Sequence, residues 1–457
     1  MKKMRGWGPL AVILAAFAVF TTLFINATPY RTSGVLQHQI NLETRQRQEI
    51  PDVGAPDERQ HANYIRDLMQ GKGLPVLKPG DPDLGETYQS HQPPAYYFLA
   101  TAFAKATGSN VEESSGKNIR FLSLLLGLGT ITGIYFFVLW ALNRQDAALA
   151  AASFCLMPMF VALHGAISND PLLFLCCTWT LALLMRMMRF GVNFKMAALI
   201  GGIIGLGICT KTSAIGLFPI ALVAALILVK VRPEDKQRIL PTGLIIFIIS
   251  VLIALPVWIR NQSLYGDPLA MKAFTAAFVG SPAAQTYIDG LGLFGYLHWV
   301  SWWTSRSFVG VFGYMDIFLF QDQLRSEKSG SIYLAIIFLL LIAVVVGVVR
   351  LGSKQATPQE DEEVVYSKPL LILCATAFVV YLVLFLQFNL TYFQGQARYL
   401  YPAFAASAAL MGVGVTGLSR RLGEWAWLVP FIGLILLDIV SLQQIQSGFA
   451  LRAGMGL

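Results

Sequence analysis

Apolar runs of roughly 18–22 residues recur from one end of this chain to the other, each long enough to cross about 30 Å of hydrocarbon as a helix. A backbone inside a bilayer must satisfy its own hydrogen bonds, so such a chain folds as a bundle of helices. The runs fall at 7–27, 120–141, 146–165, 170–188, 196–212, 213–231, 240–259, 331–350, 369–388, 399–417 and 425–444. The narrowest divisions lie near Asn169 and Thr212, where neighbouring helices share a very short turn. The expected fold is an all-α polytopic membrane protein with about 11 transmembrane helices. Composition agrees, with 55% hydrophobic residues, 13% charged and a mean hydropathy of +0.59. A soluble protein carries about twice that share of charge.

The formal charge of +8 does not indicate nucleic acid, because there is no basic stripe with interleaved aromatics. The cations sit instead in alternate short loops: Arg144; Arg186, Arg189 and Lys195; Lys230, Arg232, Lys236 and Arg238; Arg350 and Lys354; Arg420 and Arg421. The positive-inside rule makes these loops cytoplasmic and puts the N-terminus inside. An odd number of spans then puts the C-terminal tail outside. The basic start and the apolar run from Trp7 to Ile25 resemble a signal peptide. The run exceeds a signal h-region and lacks a clear small-residue cleavage site, so it reads as the first span. All five cysteines (Cys155, Cys176, Cys177, Cys209, Cys374) lie within apolar runs without metal or redox spacing, and read as packing residues.

Two segments are too long and polar to be connectors, and both fall outside. They divide the chain into a first transmembrane helix (1–27), an outer loop (28–119), a transmembrane core (120–259), a second outer loop (260–330) and C-terminal helices (331–457). In the first loop, DERQHANYIRDLM after Pro56 reads as a helix with Asp57, His61, Tyr64, Ile65, Leu68 and Met69 on one face. A second amphipathic helix starts at Pro93-Pro94 and ends at Gly108. Both are too short to span and are expected along the membrane surface. HWVSWWTSRSFVGVFGY in the second loop suits the interface, 352–368 with QEDEE reads as a solvated linker, and no internal repeat is evident.

The unusual polar residues gather on the outer side. Asp57, Glu58 and His91 lie in the first outer loop, and Asn169 and Asp170 in the turn between the third and fourth spans. Lys211 ends the fifth span, Arg260, Asn261 and Asp267 follow the seventh, and Arg398 opens the tenth. Charge near membrane depth is costly and marks sites, so one outward-facing polar cavity is the economical reading. Each residue also has a structural alternative. Asp57, Glu58 and Asp170 stand where helix caps stand. Lys211 and Arg398 could snorkel to headgroups. His61 and His91 could be packing residues, and Asp438, alone within the last span, has no assignment.

The order of the segments resembles the GT-C superfamily of glycosyltransferases, in the branch of the protein O-mannosyltransferases and lipid A aminoarabinose transferases. The segments are PDERQHANYIRDL, SHQPPAYYFLATAFAKATG, SNDPLL (168–173), GICTKTSA (207–214), PVWIRNQSLYGDPL (256–269) and ARYLYPA (397–403). Together they cover roughly residues 7–410, leaving the second outer loop poorly matched. The resemblance implies transfer of a sugar from a polyprenyl phosphate or pyrophosphate carrier to an acceptor at the outer face. Asp57 corresponds to the family's catalytic acid, with Glu58 beside it, and would take the acceptor hydroxyl's proton. Lys211, Arg260 and Arg398 would bind the donor phosphate. His61, His91, Tyr96, Asn169, Asp170, Asn261 and Tyr399 would line the substrate site. A single displacement would invert the anomeric centre. No cofactor is implied with certainty, and Asp57, Glu58 and Asp170 would hold one divalent metal or none. The sugar and the acceptor (glycan, lipid or protein) stay open.

The basic start and lean loops suggest a bacterial inner membrane with the active site facing the periplasm. The rivals are a transporter or flippase of a lipid-linked sugar, whose repeated halves and matching broken helices are not seen, and a surface-polysaccharide ligase or polymerase. The topology is directly testable. A membrane-impermeant thiol reagent is expected to label cysteines engineered near Asp57, Asp170 and Arg398 in intact cells, and to miss those near Arg189, Lys236 and Arg421. Labelling of the first group only after permeabilisation would reverse the orientation.

Overall fold

The computed structural model describes residues 6–31, 36–40, 47–51, 54–320, 330–353 and 366–454. Most of the linker expected at 352–368, including Lys354 and the QEDEE run, lies outside the described residues, as do residues 321–329 of the second outer loop. Among the described residues nine helices are long and apolar enough to cross a membrane. They include Gly8–Ala27, Ser114–Leu142, Asp170–Phe190 and Thr212–Val231 in the first half of the chain. Two expected spans depart from that standard. The 146–165 run is a pair, Gln145–Leu156 and Pro158–His164, bent by 67°. Pro158 causes the break: it has no N–H to donate, and it drives Met157 into an extended conformation (ψ 125°). The 196–212 run forms only the 15-residue helix Phe194–Ile208, about 22 Å long at 1.5 Å per residue.

Contacts at the helix ends show that both still carry the chain from one end of the bundle to the other. Ile167, just past the bent pair, donates its N–H to Glu58, and Lys211, just past the short helix, reaches Asp170. With the bent pair and the short helix, the traverses among the described residues number the eleven expected from sequence. The breaks expected near Asn169 and Thr212 are present, the second as an extended Lys211 (φ −156°, ψ 133°) before a 3-10 turn.

Small residues let the helices approach closely. A Cβ on Gly414 would sit 1.8 Å from the Ala343 carbonyl oxygen, and one on Gly347 would sit 2.1 Å from that of Leu410. One on Gly412 would meet the Ala151 nitrogen at 2.5 Å. Helix pairs in membranes use such contacts because apolar side chains gain nothing by leaving lipid.

The first outer loop folds over one end of the bundle. Its helices are Glu58–Met69 and Ala95–Thr107, the latter closed by Gly108 in the left-handed region (φ 63°), as the Pro94 and Gly108 signals predict. The Ala95 N–H donates to the Cys209 carbonyl, tying this helix to the end of the short span. An antiparallel pair, Leu36–Ile40 with Arg47–Pro51, precedes these helices. In the second loop, helix Ala284–Val309 is kinked at Gly292 and leads into the hairpin Val311–Phe312 with Ile317–Phe318. Arg452, near the end of the last span, clamps the hairpin turn by holding both Asp316 oxygens at 2.7–2.8 Å.

One buried ion pair joins the loop to the bundle. Arg120, at the head of its span, is fully enclosed. Its Nε and Nη2 hold Glu58 Oε1 and Oε2 at 2.7 and 2.8 Å. Its remaining donors reach the carbonyls of Ile25, Thr28 and Pro29 at the end of the first span. Breaking a buried pair from one side leaves an uncompensated charge and costs about 3–5 kcal/mol. Glu58→Gln is therefore expected to lower the melting temperature of the detergent-solubilised chain by many degrees. A melting curve unchanged by Glu58→Gln would remove this pair from its structural role.

Candidate active site

Asp57 precedes the Glu58–Met69 helix, yet its side chain caps nothing. Its backbone is left-handed (φ 62°, ψ −6°), a region costly for most L-residues and most tolerated by Asn and Asp. Gly54, three residues earlier, turns the chain at φ 75°, where a Cβ would strike Thr28 at 2.3 Å. The turn aims the Asp57 carboxylate at two donors. The Tyr88 hydroxyl donates to Oδ1 and Arg398 Nη2 to Oδ2, each at 2.5 Å. Capping thus gives way to a polar contact with a distant segment.

Arg398 stands in the 3-10 turn Ala397–Tyr399, lies over the Tyr399 ring at 5.1 Å and keeps an enclosed Nε with no hydrogen-bond partner. Lys211 lies over the same ring at 5.4 Å and donates to Asp170 Oδ1 at 2.6 Å. Asp170, the first residue of a span, is 2% exposed and takes the favourable end of the helix dipole. His61 and Asp170 both act electrostatically on this group. Two carboxylates, two cations and Tyr399 thus form one cluster at the end of the bundle. Beneath Pro56 and Arg398 opens a small cavity of about 50 Å³, continuous in part with solvent, whose walls include Phe24, Met159, Leu163, Phe312 and Ile445.

The other expected residues separate into groups. His61 contacts the Tyr97 hydroxyl through Nδ1 at 2.8 Å, and Tyr97 stacks on Tyr64 at 3.7 Å. His91 is set by the Tyr88 carbonyl at 2.7 Å and packs on Phe274. The Asn169 amide bridges Gln92 and the Thr210 carbonyl. Tyr96 is fully buried, edge-on to Tyr97.

Three of the expected residues stand apart from the cluster. Glu58 does not face the cluster, because Arg120 and the Ile167 N–H occupy its carboxylate. Arg260 does not join Lys211 and Arg398: its Nη2 donates to the Leu74 and Pro75 carbonyls, and nearby Tyr265 takes the Leu77 N–H, so this part of the helix holds the loop. Asn261 closes its own turn on the Pro268 carbonyl. Arg120 and Tyr88 are the contributors missed from sequence. Arg120 looks like any cation at the edge of a span, and Tyr88, three residues before His91, looks like an ordinary loop aromatic. Among the described residues no group of three His, Cys, Asp or Glu gathers to hold a metal ion.

Burial pushes the Asp57 carboxyl up, but Arg398 and the Tyr88 hydroxyl outweigh it and hold the carboxyl at about 2. Burial takes His61 down to about 4 against the pull of Asp57 and Asp170, and takes His91 to about 4 against its bond to the Tyr88 carbonyl. Both imidazoles are neutral in the folded chain at pH 7, while the unfolded chain protonates them below 6.5. Their contribution to stability is complete above that value and is lost as the pH falls toward 4. The Asp57 contribution is lost only below its ordinary value of 3.8, as the pH falls toward about 2. The melting temperature is therefore expected to drop between pH 6.5 and 4, and His61→Asn to flatten that slope. An unchanged slope in His61→Asn would mean that His61 is already solvated.

Residues 91–259 match the family model described as dolichyl-phosphate-mannose-protein mannosyltransferase. No curated protein matches the chain by sequence. In fold it is similar to the Archaeoglobus fulgidus oligosaccharyltransferase tethered with an acceptor peptide containing the NVT sequon. That likeness has a TM-score of 0.56 at 12% identity, over 99% of this chain and 56% of that one. It is also similar to ArnT from Cupriavidus metallidurans bound to undecaprenyl phosphate, with a TM-score of 0.52 at 14% identity, over 98% of this chain and 77% of that one. The chain spans little more than half the length of the oligosaccharyltransferase. At these identities the solved structures establish the fold, and the family model agrees with the resemblance read from the sequence segments.

Proposed function

We propose that this chain, a GT-C polytopic membrane protein, moves a glycosyl unit from a polyprenyl phosphate or pyrophosphate carrier to an acceptor, with Asp57 as the base. The observation that carries the reading is the Asp57 carboxylate, uncapped on a left-handed backbone and pointed into a cluster of cations. The family description and the undecaprenyl phosphate named with ArnT support a lipid-linked donor.

The geometry suggests a division of labour. The carrier phosphate enters between Arg398 and Lys211, where the unpartnered Arg398 Nε supplies a further donor. Positioned cations in a dry site stabilise the departing phosphate far better than water does. As Arg398 turns toward the phosphate, the Asp57 carboxylate loses the cation that depresses its basicity. It then accepts the acceptor hydroxyl's proton while the oxygen attacks the anomeric carbon and the carbon–phosphate oxygen bond breaks. One such displacement inverts the configuration. Arg144, Arg189, Arg232, Arg350 and Arg420 belong to loops at the other end of the bundle, which suits an active site on the periplasmic face of a bacterial inner membrane.

Asp57→Asn tests the mechanism cleanly, because Asn tolerates the left-handed backbone and keeps an acceptor oxygen. Purified protein would be given polyprenyl-linked sugars and acceptors, and release of free lipid phosphate measured. Expression is expected to hold, the melting temperature to fall by what the lost Arg398 pair contributes, and transfer to fall about 10²–10⁴-fold, the range for losing a general base. Full transfer by Asp57→Asn would discard the mechanism.

A further inference from the structure

The bundle end opposite Asp57 gathers cations of its own. The helix Gly330–Gly352 crosses Phe404–Leu418 at the glycine contacts described above, and Gln145–Ser153 packs on the same helix at Gly412. Three helices drawn this close bring their ends together, and each end carries an arginine: Arg350, Arg420 and Arg144. Arg350 lies flat across Gly417, where a Cβ would be 2.6 Å from its Cδ and Nη1. Arg144 and Arg420 both repel it within electrostatic reach. Among the described residues the one carboxylate acting on Arg350 is Asp146, already engaged by Arg144 at 2.5 Å. Glu424 lines an adjoining hollow of about 100 Å³ with Gln145 and Asp146, against Pro9, and is not among the groups that act on Arg350. The Nη1 of Arg350 is enclosed and has no hydrogen-bond partner.

Three guanidiniums sharing one carboxylate form an unfavourable arrangement that an anion would relieve. The enclosed Nη1 needs an acceptor, since a buried donor left unmade costs about 1–3 kcal/mol and more when charged. Phosphate oxygens match the planar guanidinium fork. The flanks decide the source of the phosphate. Val345, Val349, Leu418 and Leu422 point outward beside these arginines, and Trp425, 65% exposed, stands next to them. An apolar lip edged by tryptophan belongs at a lipid interface, where chains lie along the helices and a headgroup meets the cations.

We propose that Arg144, Arg350 and Arg420 form a headgroup site for an anionic phospholipid at the end of the bundle opposite the Asp57 cluster. The site does not depend on the glycosyl-transfer reading. It is tested on the full chain, delipidated in detergent and titrated with phosphatidylglycerol, phosphatidylcholine or inorganic phosphate, with bound lipid counted by native mass spectrometry and melting followed in parallel. Phosphatidylglycerol is expected to bind and raise the melting temperature, and phosphatidylcholine and inorganic phosphate to do neither. Arg350→Gln and Arg420→Gln are each expected to weaken phosphatidylglycerol binding at least about tenfold, the loss of a charged hydrogen bond. Arg420 is exposed, so its variant keeps the test valid if Arg350→Gln folds poorly. Equal binding by both variants, or equal protection by inorganic phosphate, would overturn the proposal. So would a chain that binds phosphatidylglycerol only after Glu360, Asp361, Glu362 and Glu363 are neutralised, because its own acidic run would then be the resident anion.

Discussion

The Arg120 guanidinium sets the geometry of the outer end of this protein. It spends its donors on Glu58 and on three carbonyls that end the first span, and none of this is exposed. A charge so enclosed holds its partners firmly, because any retreat leaves a bare ion in a medium that cannot solvate it. Glu58 is therefore fixed facing inward, also accepting the Ile167 N–H. Its neighbour Asp57 cannot relax from the left-handed region without dragging Glu58 off Arg120. Adjacent acids are thus forced into different roles: one anchors the loop, and the other is presented to Arg398.

The cluster that receives Asp57 is assembled wholly from interruptions in helices. Asp57 precedes a helix, Asp170 begins one, Lys211 lies extended between two and Arg398 sits in a 3-10 turn before another. Such positions have backbone groups not committed to a helical ladder, and polar side chains there avoid the cost of ions on a continuous span. The opposite end follows another logic. There glycines bring three helices close together, and Arg144 and Arg420 act electrostatically on Arg350. Close packing fixes that end, while pairing of opposite charges fixes the outer one.

What could be read from the sequence follows the same physics. Spans and their short breaks were legible because burial in lipid demands long apolar runs, and Pro94 and Gly108 bracketed their helix because each limits the backbone in one way. Asp57, Asp170, Lys211 and Arg398 stood out as charges at the edges of such runs. Arg260 stood out for the same reason and serves the Leu74–Pro75 loop instead, since edge position does not say which carbonyls a guanidinium will reach. Spacing along a helix separates Asp57 from Glu58 by about 100° but cannot tell which faces the bundle. That answer depends on Arg120, sixty-two positions away. The 67° bend at Met157 was illegible for a related reason: proline permits a break, but the neighbouring helices decide its angle.

The two acid–cation pairs also bear on the order of events under the proposed reaction. Asp57 with Arg398 and Asp170 with Lys211 keep the cluster neutral in the absence of substrate, so it can be buried at modest cost. A carboxylate tied to a guanidinium and held at about 2 is a poor base for a hydroxyl at neutral pH. An acceptor arriving first would therefore meet a carboxylate unable to take its proton. A phosphate arriving first competes for Arg398 with charge of the same sign as Asp57, which weakens the existing pair and returns basicity to the carboxylate. Donor binding and activation of the base then become one electrostatic event, and a sugar is made transferable only when its carrier is already in place.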